Sequence, residues 1–178
     1  MRSFDVVVIG AGPAGEVAAG RLGERGLEVA LVEDRLVGGE CAYWACMPSK
    51  ALLRPYEALA ELRRIPGATA GELDVPAVLA RRDEVIHGLK DDEQLPWIEK
   101  RGITLIRGHG RLAGERRIVV DDEEIEARRA VILAGGSVPL VPPIEGLDGA
   151  WTNREATTTS PGSTTTASST SMRSRPTS

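Results

Sequence analysis

Two cysteines, Cys41 and Cys46, stand with four residues between them in a chain that has no others, and Pro48-Ser49-Lys50 follows directly. Thiols this near in sequence can bridge reversibly, share a metal, or lie inert in a core. In a regular helix, residues five apart are rotated by about 140°. Their Cα atoms also lie beyond the roughly 4.4–6.8 Å that a disulfide requires. Bridging therefore needs a distorted helix start. Gly38 and Gly39 give freedom before the first cysteine. Pro48 lacks an N–H, and its ring clashes with the carbonyl of Trp44. The sequence thus supplies distortion on both sides of the pair. A thiol at a helix start also has reason to ionise, and the thiolate is the reactive form. Zinc would need more ligands, and only His87 and His109 are on offer, so no metal site is expected. Two unrelated buried cysteines are the plainer alternative. Redox pairing is favoured by position, because a nucleotide-site pattern comes just before.

That pattern is Gly10-Ala11-Gly12-Pro13-Ala14-Gly15. Phe4 to Ile9 precedes it as a β-branched run suited to a strand buried on both faces. Glu16 to Arg25 reads as a helix closed by Gly26, and Leu27 to Val32 as a second buried strand closed by Glu33. Strand, glycine turn, helix, strand and acid make one βαβ unit. Gly10 permits a tight turn, Gly12 lets backbone approach a pyrophosphate, and Gly15 lets helix and strand pack closely. The helix start offers N–H groups and the positive dipole end to phosphates. Glu33 stands where a carboxylate accepts hydrogen bonds from an adenosine ribose. The unit alone does not separate FAD from NAD, since both carry an ADP half.

Further elements must position these groups. A second helix is expected from about Cys41 to Arg64, with Leu52, Leu53, Tyr56, Leu59 and Ala60 at helical spacing, ended by Pro66-Gly67. A third is expected from about residue 75 to Arg101, kinked or broken at Pro96. Ile103 to Ile106 reads as a strand, Arg107 to Arg129 as a small antiparallel meander, and Ala130 to Ala134 as another buried strand. Gly135-Gly136-Ser137 ends it, and Pro139, Pro142 and Pro143 force an extended exit. The class is α/β, a parallel sheet with helices plus a small antiparallel meander.

Composition bounds the rest. The chain has 178 residues, of which 42% are hydrophobic, enough for one domain with a real core. A net charge of -4 and 3% aromatics argue against nucleic-acid binding. No apolar run approaches the roughly 20 residues of a membrane span, and the first is too short for a signal peptide, so a cytoplasmic protein is expected. Residues 1–156 read as the domain. Residues 157–178 are mostly Ser and Thr without an acidic residue, and disorder is expected there. This stretch is either a natural tail or the product of a reading frame broken near Thr158, and the broken frame is the favoured reading.

The chain resembles the FAD-dependent pyridine nucleotide–disulfide oxidoreductases, which include dihydrolipoamide dehydrogenase, glutathione reductase and mercuric reductase. VVVIGAGPAGEVAA, GGECAYWACMPSK and VILAGGSVPLVPPIEG carry the resemblance. It implies a Rossmann-like FAD-binding domain, here its N-terminal part. It implies that Gly10, Gly12 and Gly15 hold the FAD pyrophosphate and Glu33 the adenosine ribose, with Pro13, Ala14, Asp34, Gly39 and Glu40 also against the cofactor. Cys46 would be the flavin-proximal thiolate, Cys41 the interchange thiol that attacks substrate, and Lys50 a cation beside the reactive flavin edge. Backbone near Gly110 and Arg111 would meet the adenine. Ala134, Gly135, Gly136 and Ser137 match the family's Ala-Thr-Gly-Ser turn, with Gly135 in place of threonine. Tyr43-Trp44-Ala45 differs from the best-known members, so their substrates do not carry over. The family's NAD(P)H domain, its dimerisation domain and its partner-subunit histidine have no counterpart here, so an incomplete FAD domain and poor flavin retention are expected. The resemblance also implies a small-molecule or protein disulfide as substrate and a homodimeric full-length enzyme.

Overall fold

The computed structural model describes residues 1–147 and 149–160. The predicted βαβ unit is present as β1 (Arg2–Ile9), α1 (Pro13–Gly23) and β2 (Val29–Glu33). β1 and β2 pair in parallel, Val6 against Val29 through Ile9 against Val32. Side chains alternate between the two faces of a strand. Val6, Val8, Val29 and Leu31 accordingly pack with Ala11, Ala19 and Ile98 on one face. Val7, Ala30 and Val32 pack with Ile106, Ile118, Val120, Ile125 and Ala127 on the other.

Three further strands follow β3 (Thr104–Arg107): β4 (Gly110–Gly114), β5 (Arg117–Val120) and β6 (Glu123–Leu133). One six-stranded sheet has the order β3-β2-β1-β6-β5-β4. The β1, β2, β3 and β6 pairings are parallel, and the β4–β5 and β5–β6 pairings antiparallel. The fold is thus mixed α/β with a mostly parallel sheet. The meander and the strand over Ala130 to Ala134, expected as separate pieces, are joined by β6, which runs unbroken past Arg128 and Arg129. That last stretch, expected to be buried, is half-buried to exposed, with Leu133 at 65%. Both arginines face Asp5, whose carboxylate accepts from Arg129 at 3.1 Å and Arg128 at 3.4 Å. The register of β1 against β6 shifts at this point, between Phe4 and Val6. Asp5 is held below the usual carboxylate range, first by the Glu28 amide and then by Arg128. The sheet curls over its own second face: a Cβ on Gly110, at the far edge, would lie 3.1 Å from Val32 of β2.

The helices depart from expectation in two places. The helix expected over Cys41–Arg64 is two, α2 (Gly39–Tyr43) and α3 (Cys46–Leu62), with an elbow at Trp44-Ala45. Pro48 gives the reason, since it cannot donate to the Trp44 carbonyl. The helix expected over residues 75–101 is also two, α4 (Val75–Val85) and α5 (Leu95–Lys100), joined through a 3-10 turn at Asp92–Gln94. The break falls at His87-Gly88-Leu89, all left-handed with φ of 50°, 57° and 60°. Pro96 breaks nothing, because it sits in the first turn of α5, where proline is tolerated. α6 (Asn153–Thr158) ends the described chain and buries Thr157. The disorder expected of the Ser/Thr-rich stretch lies, from residue 161 on, outside the described residues. Among the described residues no helix is long and apolar enough to cross a membrane.

Candidate functional site

The glycine loop lies at the C-terminal end of the parallel strands, where open α/β sheets place ligands. Gly10 has φ of +98°, and a Cβ there would come 2.3 Å from the Ala134 carbonyl oxygen. A Cβ on Gly15 would lie 1.8 Å from the Gly10 oxygen, so both glycines are required by the fold itself. Gly12 differs, because a Cβ there would meet nothing within 4 Å. The open space above Gly12 adjoins the start of α1, whose first-turn amides lack intrahelical partners. Pro13 and Ala14 are exposed at that start.

Glu33, at the end of β2, is buried beside the loop. One carboxylate oxygen accepts from the Ala11 amide at 2.7 Å and the other from Arg35 at 2.8 Å. Asp34 lies outward, 3.4 Å from His109. Gly110 is folded back over Ile9 and Val32, on the same end of the sheet, whereas Arg111 is exposed on the outer strand. Ala134 follows β6, its amide donating to the Ile9 carbonyl at 2.7 Å. Ser137 and Glu40 share a cleft of about 290 Å³ with Val138, Pro139 and Asn153. Gly135 and Gly136 connect these two points of the chain.

The cysteine segment docks on the glycine loop. The Gly38 amide donates to the Ala11 carbonyl at 2.8 Å. Gly39, φ +57°, approaches so closely that a Cβ would lie 2.8 Å from the Gly12 Cα. The loop before it is fixed by Asp91, which accepts from the Val37 amide at 2.7 Å and from Arg107 at 2.6 Å. Cys41 and Cys46 are both free and half-buried, one on each side of the elbow. The neighbouring Cys46 thiol, followed by burial, raises the Cys41 thiol above its ordinary range. Lys50 opposes the rise and Glu16 adds to it. Lys50 is exposed one turn along α3 from Cys46. The structure therefore brings together the glycine loop, Glu33, Glu40, both cysteines and the Ala134–Ser137 turn.

Sequence reasoning missed two contributors. Glu16, half-buried on the first turn of α1, has its carboxyl raised by burial and acts electrostatically on Cys41. Arg154 of α6 donates from Nε to Glu40 at 2.7 Å, and its guanidinium lies 4.4 Å from the Trp44 ring centroid. A signal for α6 was available: Thr152 and Glu155 form a capping box, readable as Thr-x-x-Glu.

Tyr43, between the cysteines, is only 1% exposed. Burial, then the charges of Asp91 and Glu16, push its hydroxyl up to about 12. The fold accommodates the neutral phenol. Unfolded tyrosine ionises near pH 10, so this contribution is full below about pH 10 and is lost as pH rises toward the folded value. Tyr43→Phe is expected to lessen the alkaline loss of stability, read as the change in urea midpoint between about pH 8 and about pH 11. Equal losses in the two proteins would refute it.

A family model described as pyridine nucleotide-disulphide oxidoreductase matches residues 4–169. Dihydrolipoyl dehydrogenase from Chlamydia muridarum is 37% identical over 143 residues, covering 77% of this chain and 30% of that protein. Dihydrolipoyl dehydrogenase 3 from Pseudomonas aeruginosa is 39% identical over 150 residues, covering 78% and 32%. Mercuric reductase from Staphylococcus aureus is 32% identical over 149 residues, covering 82% and 27%. The chain thus spans about a third of the length of these curated relatives. The solved structure of the HOCl-induced flavoprotein disulfide reductase RclA from Escherichia coli superposes with a TM-score of 0.70 at 24% identity, covering 86% of this chain and 33% of that one. At that identity the likeness shows the fold.

Proposed function

Because this chain belongs to the pyridine nucleotide-disulphide oxidoreductase family, we propose that its residues 1–156 form the FAD-binding, dithiol-bearing part of a disulfide reductase. The observation that carries the proposal is the placement of both thiols at the two sides of one elbow docked on the glycine loop. The residues fit the cofactor's ADP half: Gly12 leaves its upper side open, and a carboxylate stands at the end of β2. Gly10, Gly12 and Gly15 with the start of α1 hold the pyrophosphate, and Glu33 the ribose. When bound, the flavin supplies two-electron exchange between NAD(P)H and the thiol pair.

The chain's own residues carry the sulfur chemistry. As a thiolate Cys41 attacks one sulfur of a disulfide substrate, forming a mixed disulfide and expelling the first thiolate. Cys46 then attacks Cys41, the Cys41–Cys46 bond forms, and the second thiolate leaves. Two electrons have moved to substrate. Lys50 holds positive charge beside the pair. The full-length protein is a cytoplasmic homodimer with a disulfide or other thiol-reactive compound as acceptor.

Two measurements on the purified chain test this reading. Added FAD is expected to bind it in an equilibrium titration read by flavin fluorescence, and glutathione disulfide to consume both thiols in one intramolecular bond. FAD binding with both thiols still free would mark a flavoprotein with idle cysteines, acting on oxygen or quinone. Failure of both overturns the proposal.

A further inference from the structure

We propose that Arg154 is a positioning residue for the Cys41–Cys46 pair: through α6 it locks the elbow between the cysteines and so sets how strongly the pair closes to a disulfide. This role presupposes the redox pairing proposed above. Pro48 deprives the Trp44 carbonyl of its helical donor. α6 supplies replacements, Asn153 Nδ2 at 2.9 Å and Thr157 Oγ1 at 3.1 Å. Glu40, directly before Cys41, is held by Arg154 Nε at 2.7 Å, by Arg154 Nη2, and by Asn153 Nδ2 at 3.0 Å. The same guanidinium stacks on Trp44, two residues before Cys46. One arginine therefore grips the chain just ahead of each cysteine.

The strap is itself anchored. The Thr152–Glu155 capping box fixes its start. Buried Arg82 of α4 donates to the carbonyls of Thr157 and Thr159 at its end. The Arg154 and Glu40 side chains are 32% and 36% exposed, so their charge attraction alone is worth little. What arginine adds is a planar fork that binds Glu40 with two nitrogens while lying on an aromatic face. Closure of two thiols costs the freedom of the segment between them. An elbow already held in one geometry has less freedom to lose. Loosening it lets the sulfurs separate and weakens the disulfide.

The test uses the full chain equilibrated with glutathione. Cys41 and Cys46 lose two protons and two electrons, their S–S bond forms, the S–S bond of glutathione disulfide breaks, and two glutathione thiols result. The closure constant is read by acid quench and mass. Arg154→Ala is expected to lower it about tenfold, which is about 30 mV for a two-electron couple. Arg154→Lys, which keeps charge without the fork, is expected to fall between. Arg2→Ala, which removes an ion pair to Glu123 on β6, should leave the constant unchanged. An Arg154→Ala constant within about twofold of the unaltered chain overturns the proposal. If Arg154→Ala loses its far-UV dichroism, Asn153→Ala decides: a drop of about threefold supports the strap, and no drop overturns it. If the unaltered chain never closes, the redox pairing fails and the strap's role with it. Closure with no effect of α6 rejects the strap alone.

Discussion

Serine at position 46 is expected to leave Cys41 with a free thiol that no oxidant closes within the chain. The chain has two cysteines, so no third can substitute. Thiol counting under glutathione disulfide would give no free thiol in the unaltered protein; in Cys46→Ser, Cys41 would be free or capped by glutathione. Cys46→Ala adds a second readout. The neighbouring Cys46 thiol is the largest cause raising the Cys41 thiol. With that partner gone, burial and Glu16 still hold it up while Lys50 draws it down. The pH at which iodoacetamide begins to alkylate Cys41 should therefore fall. A thiolate is the reacting species, so a lower value appears as faster alkylation at neutral pH. An unchanged alkylation profile would mean that Cys46 does not act on the Cys41 thiol in solution.

Valine at Gly12 and valine at Gly10 should fail in opposite ways. Gly12 has φ of -74° and ψ of -178°, extended backbone that any residue adopts. A Cβ there meets no atom within 4 Å. Gly12→Val is therefore expected to melt within a few degrees of the unaltered chain and to lose FAD and ADP binding by at least about a hundredfold, because the pyrophosphate and the side chain claim one space. Gly10→Val puts a branched side chain at φ +98° and 2.3 Å from the Ala134 oxygen. That conformation and clash together cost about 3 kcal/mol or more, a large part of the 5–15 kcal/mol that holds a typical domain together. Urea denaturation should show the midpoint of Gly10→Val far below that of the unaltered chain. FAD binding by Gly12→Val at full affinity would show that the phosphates lie elsewhere.

The βαβ unit was legible because each of its residues reports its own local geometry: β-branched strand, glycine turn, terminal acid. The distortion at the cysteines was legible from Gly38, Gly39 and Pro48, but not the resolution of one expected helix into α2 and α3. Apolar spacing runs on into α3, and nothing local says that the Trp44 carbonyl has donors 109 and 113 residues away. The break after α4 escaped for a related reason. Val78, Leu79, Val85 and Ile86 keep helical spacing up to the break, while the residue that fixes the following segment, Asp91, answers to Val37 and Arg107. Arg128 and Arg129 hid the continuity of β6, since two adjacent charges read as loop until Asp5 is known to lie beside them. Glu33, Cys41 and Cys46 were found through motif position. Glu16 acts through space on Cys41, and Arg154 on Glu40 and Trp44, and neither leaves a motif at its own position.

β6 also dictates an order of events as the chain is made. β1 is a central strand, and its partner on one side extends to residue 133, with Arg2 paired to Ile125. At roughly 5–20 residues per second, a ribosome needs on the order of ten seconds to produce that partner after β1 emerges. Throughout that interval the first valine-rich segment has one unpaired edge and no cover from β5 or β6. Until β6 is made, that open edge can pair with a strand of another chain.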